Sequence, residues 1–329
     1  MKPCTSLFLD VTSSLRPSGL YCFVKPLIAR LLPGYAGECD LRRYAKDLVP
    51  PEKIRRFQKT MIIRKGYYDY EYFNICFLNN ALSLCLKAVC AGYLPQVEIC
   101  NAQGANLWEM FFEQPFSDVS RSGKSTLIYD KKAFEAFPQW QDVYDPQRVD
   151  FYGRLYNSFI RLKENVRGYV QEETDAVLNR GKILGVLCRG TDYTKTRPKG
   201  HPIQPAPEEI LRKTDEIFQQ KKYDYIYLAT EDSGYDALFR AHFRDRLLIN
   251  RRQYYDQSFQ KGNLSLIKDV HFDRENDEYL KGLEYLSSLL ILSRCQGLVA
   301  GNCGGTEAAV FWNQGKYEDT CIFNLGLYE

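Results

Sequence analysis

Three short segments of this 329-residue chain deliver polar and charged side chains directly after apolar runs of strand length. The first is Gly185-Val186-Leu187-Cys188-Arg189-Gly190-Thr191-Asp192-Tyr193. An arginine released at a strand end offers several donors at once and suits a diphosphate. A structural pair between Arg189 and Asp192 accounts for the same residues equally well. The second is Tyr225-Ile226-Tyr227-Leu228-Ala229-Thr230-Glu231-Asp232-Ser233-Gly234. A carboxylate there can accept the paired N–H groups of a guanine edge. Helix N-capping by Asp232 or Ser233 competes with that reading and is favoured for Ser233. The third is Gly297-Leu298-Val299-Ala300-Gly301-Asn302-Cys303-Gly304-Gly305-Thr306-Glu307. Its N–H groups, at a helix start, suit a phosphate, and Gly304 and Gly305 allow a close approach. A tight turn needing positive φ is the alternative.

These loops need a frame that brings them together. Apolar runs predict strands at Ile183–Cys188, Tyr223–Thr230, Leu247–Asn250, Gly297–Ala300 and Thr320–Leu325. Helical spacing predicts helices at Pro207–Gln220, Tyr235–Phe243, Asp277–Cys295 and Thr306–Trp312. Strands alternating with helices imply a parallel sheet covered on both faces, which binds ligands beyond the carboxyl ends of its strands. Upstream, Phe151–Leu178 reads as one long connecting helix ended by Asn179-Arg180-Gly181. Before it, Thr60–Ile63, a helix over Phe77–Tyr93 and a strand at Gln96–Ile99 form a βαβ pattern, with Asn106–Phe116 as a packed loop or edge. The first 60 residues suggest a strand at Ser6–Val11 and a helix at Tyr21–Leu32. The expected division is residues 1–150, a first α/β domain; 151–180, the connecting helix; and 181–329, a second domain built on the parallel sheet. Such a length suits two domains.

Composition removes several classes. A net charge of +3 without a long basic block gives no footprint of a nucleic-acid binder. Lys53-Ile54-Arg55-Arg56 and Arg251-Arg252 read as solvated surface, or as a meeting point with anionic lipid or a phosphorylated acceptor. The 11 cysteines include no CxxC pair, so no metal site of the usual spacing is expected, and a reducing compartment is favoured. The first residues lack the apolar core of a signal peptide, and no apolar run reaches roughly 18 residues. The expectation is a cytoplasmic protein, peripheral at most to the inner membrane face.

Taken in order, the three segments resemble the motifs of the α1,6-fucosyltransferases, the nodulation fucosyltransferases and, more loosely, the α1,2- and protein O-fucosyltransferases. Leu187-Cys188-Arg189-Gly190-Thr191-Asp192 stands where the family has His-x-Arg-Arg-Thr/Gly-Asp. Leu187 therefore replaces the motif histidine, and Gly190 the second arginine. Tyr227 to Asp232 matches Tyr-Leu-Ala-Thr-Asp-Asp closely. Leu292-Ser293-Arg294-Cys295-Gln296 and the glycine-rich loop fit the third motif in pattern. The resemblance covers about residues 181–310, with weaker echoes at Phe77–Leu82 and Asn106–Glu113.

The resemblance implies a GT-B-like α/β fold of two Rossmann-type domains. It also implies transfer of fucose from GDP-fucose to a glycan acceptor, as in surface polysaccharide synthesis, with no cofactor beyond the donor and no metal. Arg189 would hold the diphosphate with Thr191. Thr230 would belong to the base-reading loop, with Glu231 or Asp232 reading the base. Gly304, Gly305 and Thr306 would contact the diphosphate. The mechanism implied is an inverting displacement by an acceptor hydroxyl, with Asp192 and His201 as candidate bases. His242 and His271 are assigned no role. Another nucleotide sugar, or a non-catalytic nucleotide- or glycan-binding protein on the same scaffold, remains open.

Overall fold

A computed structural model describes residues 49–120, 126–133, 137–256 and 269–329. The strand expected at Ser6–Val11, the helix expected at Tyr21–Leu32 and the side chain of Asp192 lie outside the described residues. Helix α1 (Pro51–Ile54) leads into strand β1 (Lys59–Ile63). Helix α2 (Ile75–Cys90) starts two residues before the apolar spacing suggests. The Asn74 side chain fixes that start by accepting from the Phe77 N–H at 2.9 Å. Strand β2 (Tyr93–Val97), the short helix α3 (Leu107–Phe111) and strand β3 (Thr126–Tyr129) follow. The three strands pair in parallel in the order β2-β1-β3.

The long helix expected over Phe151–Leu178 is two helices, α4 (Pro146–Phe159) and α5 (Glu164–Leu178). The break has a tertiary cause. The Glu113 N–H donates to the Arg161 carbonyl at 2.8 Å, and the Lys163 N–H donates to the Phe111 carbonyl at 3.0 Å. This short pairing with the end of α3 takes the backbone groups that a continuous helix would use. Helix α4 also begins earlier than its apolar stripe, because Pro146 occupies its first turn and Asp145 caps it at 2.9 Å from the Gln147 N–H.

The second sheet follows the predicted alternation closely. Its elements are β4 (Ile183–Cys188), α6 (Thr191–Thr196), α7 (Pro207–Gln220), β5 (Tyr225–Thr230), α8 (Ser233–Phe243), β6 (Leu247–Leu248), α9 (Asp277–Leu292), β7 (Gly297–Gly301), α10 (Gly304–Asn313) and β8 (Asp319–Phe323). The strand order is β6-β5-β4-β7-β8, and every pairing is parallel. Leu184, Val186 and Cys188 of β4 face a core with Ile210, Ile217, Phe239 and Phe243 from α7 and α8. The alternate residue Gly185 lies against Leu292 of α9 and Cys295 just beyond it. Both faces of the strand are thus covered, which is why its sequence is apolar throughout rather than alternating. The α/β class and the helix-covered parallel sheet agree with the expectation. Residues Pro50–Glu329 form one compact unit.

Register positions the chemistry. Cys188 lies opposite Thr230, and Leu187 lies opposite both Ala229 and Ala300. Strands β4, β5 and β7 therefore end nearly level, and their three loops leave the same edge side by side. The chain winds outward from β4 to β6 and then returns to β7 on the other side. The reversal between β4 and β7 is a topological switch point, where open parallel sheets form a binding crevice.

Candidate functional site

A cleft of about 480 Å³ opens at this edge. Leu187 near the end of β4 and Arg189 just beyond it line this cleft, as do Thr230 at the end of β5, Glu231 after it, and Gly304 and Gly305 at the start of α10. The segment from Tyr68 to Cys76 forms an opposing wall, and Tyr285, Ser288 and Leu289 of α9 line the floor.

Arg189 pairs with Glu231 at 3.1 Å, and its guanidinium lies 4.8 Å from the centre of the Tyr193 ring. The pair is partly buried, with side-chain exposures of 22% and 16%, so solvent screens it less than a surface ion pair. Thr191 donates from Oγ1 to Glu231 at 3.0 Å. It holds φ at +45°, an uncommon and strained setting for a β-branched residue. Asp232 accepts the Gly234 N–H at 2.8 Å, capping α8, and the Thr191 N–H at 3.4 Å. A β-carbon at Gly190 would lie 2.5 Å from Asp232 Oδ2, so any side chain there would displace this clamp. The first two loops are thereby locked to each other, with Arg189 aimed into the cleft and Asp232 behind it.

The third loop presents a helix start that no side chain caps. Its first N–H groups and the helix dipole favour an anion. Neither Gly304 nor Gly305 has positive φ, so a tight left-handed turn does not explain them. What approaches Gly304 is protein: a β-carbon there would lie 2.5 Å from Ile75 Cγ2, at the start of α2. Thr306 is fully buried and donates from Oγ1 to the Gly301 carbonyl at 2.6 Å, so its hydroxyl fixes the turn instead of facing the cleft.

His201 does not line the cleft. Its Nδ1 lies 3.0 Å from the Tyr193 hydroxyl, and its ring packs between Trp140 and Tyr193. Tyr193 touches both His201 and Arg189. Among the groups the sequence did not single out, Tyr285 lines the floor, and burial pushes its phenol well above the usual tyrosine range. It stays a neutral donor at physiological pH. Glu307 of α10 is 2% exposed, and burial, reinforced by Asp142, lifts its carboxyl to about 8.

Arg251 and Arg252 separate. Arg251 lies at the surface, where it pairs with Glu172 at 3.0 Å and with Glu173. Arg252 lines the cleft, which corrects the reading of both as solvated. Elsewhere, His271, Asp277 and Glu278 bring ligand atoms within 4.8 Å of one another. Asp277 is already held by Arg274 at 2.7 Å and Lys281 at 3.3 Å, and these positive charges oppose a cation. Among the described residues, no helix is long and apolar enough to cross a membrane.

No family model matches this sequence, and no curated protein matches it. Among solved structures, the chain is similar to NodZ α-1,6-fucosyltransferase soaked with GDP-fucose, at 12% identity, covering 77% of this chain and 92% of that one, with a TM-score of 0.44. It is also similar to fucosyltransferase NodZ from Bradyrhizobium, at 13% identity over 76% of this chain and 92% of that one, TM-score 0.41. The apo form of POFUT1 overlaps at 11% identity over 86% of this chain and 78% of that one, TM-score 0.38. These overlaps are loose, and the chemistry of the site stands on its own residues.

Proposed function

We propose that this chain is a glycosyltransferase that takes a nucleoside diphosphate sugar in the Arg189 cleft, with GDP-fucose as the first donor to test. The observation that carries the reading is the convergence of a partly buried arginine and an uncapped helix start on one cleft at a topological switch point. In this reading Arg189 and the α10 N–H groups hold the diphosphate. Glu231 orients Arg189, while Thr191, Asp232 and Thr306 brace the loops. Thr230 and Glu231 are the groups at the β5 end within reach of a base. Residues 181–329 act as the donor domain, residues 151–180 connect, and the described residues between 50 and 150 stand on the acceptor side.

The reaction is an inverting displacement. An acceptor hydroxyl attacks the anomeric carbon, the bond to the diphosphate breaks, and the proton passes to a base, for which Asp192 is retained. The leaving diphosphate gathers negative charge where Arg189 and the helix start stand preorganised, so the scheme assigns no step to a metal. The acceptor is a glycan, in surface polysaccharide synthesis at the cytoplasmic face of a membrane.

The test is release of GDP from GDP-fucose, with and without glycan acceptors. Slow release that acceptors accelerate is expected. It should fall roughly 10²–10³-fold in Arg189→Gln, the scale seen when one preorganised donor to developing charge is lost. Binding of GDP-fucose with no release under any condition would leave a nucleotide-sugar-binding protein in place of a transferase.

A further inference from the structure

The charged groups lining the cleft are almost all spoken for. Arg189 has Glu231 at 3.1 Å. Lys281 has Asp277 at 3.3 Å and the Val270 carbonyl at 2.8 Å. Glu284 has Arg274 at 2.5 Å, and Asp69 has Lys132 at 2.6 Å. Glu71 makes no ion pair among the described residues, but it lies exposed in the tyrosine-rich segment, where water solvates it. Arg252 is different. It is half-buried, and among the described residues it pairs with no carboxylate. Its terminal nitrogens donate to neutral acceptors, the Thr230 carbonyl and, at 2.6 Å, Ser288 Oγ. Its Nε–H is buried with no partner. A guanidinium withdrawn from water and given only neutral partners is an incomplete arrangement, and an anion completes it.

Its position says which anion. Arg252 is tied to Thr230 and Arg189 to Glu231, the next residue along the chain. Both guanidiniums line the same cleft at the end of β5. Gly190 cannot supply a second cation there, because Asp232 fills the space a side chain would need.

We propose that Arg252 is the second anion-binding residue of the cleft and that, together with Arg189, it selects a nucleoside diphosphate over a monophosphate. This inference rests on the nucleotide-sugar reading of the same cleft. A planar guanidinium grips two phosphate oxygens at once, so its loss falls on the additional phosphate and leaves the nucleoside contacts in place.

Calorimetric titration of the full chain with GDP and with GMP tests this, with UDP and UMP as the second pair. Wild-type protein should prefer the diphosphate by about tenfold or more, the scale of one charge-assisted hydrogen bond. In Arg252→Gln that preference should shrink to about threefold or less, while GMP affinity moves little. Arg252→Lys, which keeps the charge without the fork, should recover part of it and guards against a variant that fails to fold. A folded Arg252→Gln with an unchanged preference, or with both nucleotides weakened equally, makes Arg252 a clamp on Thr230 and Ser288 and overturns the proposal alone. Wild-type protein that binds no nucleotide overturns it together with the nucleotide-sugar reading.

Discussion

Strand β4 of the five-stranded sheet is buried at every position, whereas β3 of the three-stranded sheet is exposed or half-buried along its whole length. On β3, Leu127 and Ile128 are 42% and 48% exposed. The buried strand ends in residues that bridge loops and line a cleft; the exposed one carries no such constellation among the described residues. The candidate site thus adjoins the more deeply buried strand, and a pair such as Arg189–Glu231 holds its geometry only if the strands beneath it cannot shift.

The largest expected effect sharpens that contrast. Phe239 is fully buried in the core beneath β4 and β5, and Phe239→Ala should cost about 3–5 kcal/mol in denaturant unfolding. Leu127→Ala on β3 should cost less than about 1 kcal/mol. Equal losses would break the comparison.

The next prediction concerns α10, which packs against α4 through Phe311 stacked on Tyr152 with ring centres 4.7 Å apart. Glu307 titrates near 8 when folded, against an ordinary 4.5, because burial, and secondarily Asp142, disfavour its charged form. Between these values the folded state binds more protons than the unfolded one, so stability is greatest at low pH and falls as pH rises towards 8. The slope from this group should approach about 1.4 kcal/mol per pH unit. Urea unfolding from pH 5 to 8.5 should show that decline in wild type and a flatter profile in Glu307→Gln. Parallel profiles would contradict the assignment.

At the cleft, Arg189→Gln should weaken nucleotide diphosphate binding about 10- to 100-fold while the fold persists, since it removes charge-assisted donors. The smallest effect at the site should come from Asp232→Ala. It removes the cap of α8 and a bond to the Thr191 N–H, for about 1–2 kcal/mol of stability. A loss of nucleotide binding as large as that of Arg189→Gln would instead place Asp232 on the ligand.

The sequence made the second sheet legible because burial on both faces demands continuous apolar runs such as Ile183–Cys188, bounded by polar residues. The same boundaries marked Arg189, Thr230, Glu231, Gly304 and Gly305, all of which line the cleft. What stayed illegible depends on distant partners. The break after Phe159 is set by backbone bonds to Phe111 and Glu113, and neither Pro nor Gly announces it. Arg252 resembled its neighbour Arg251, and only the folded chain turns one to solvent and the other to the cleft. Glu307 closed the third segment with no role assigned, and nothing local revealed that it would be buried. Strand β3 gave no signal in so exposed a segment.

The most direct measurement is thermal unfolding of wild-type and Arg189→Gln protein against GDP, GDP-fucose, GDP-mannose, UDP, CMP and ADP. A ligand at about 100 times its dissociation constant adds about 2.7 kcal/mol of stability, which a melting scan resolves. Stabilisation of the wild type by nucleoside diphosphates, and its loss in a variant that still melts cooperatively, is the predicted result. A folded wild-type protein whose melting responds to none of these nucleotides would contradict the donor site at Arg189.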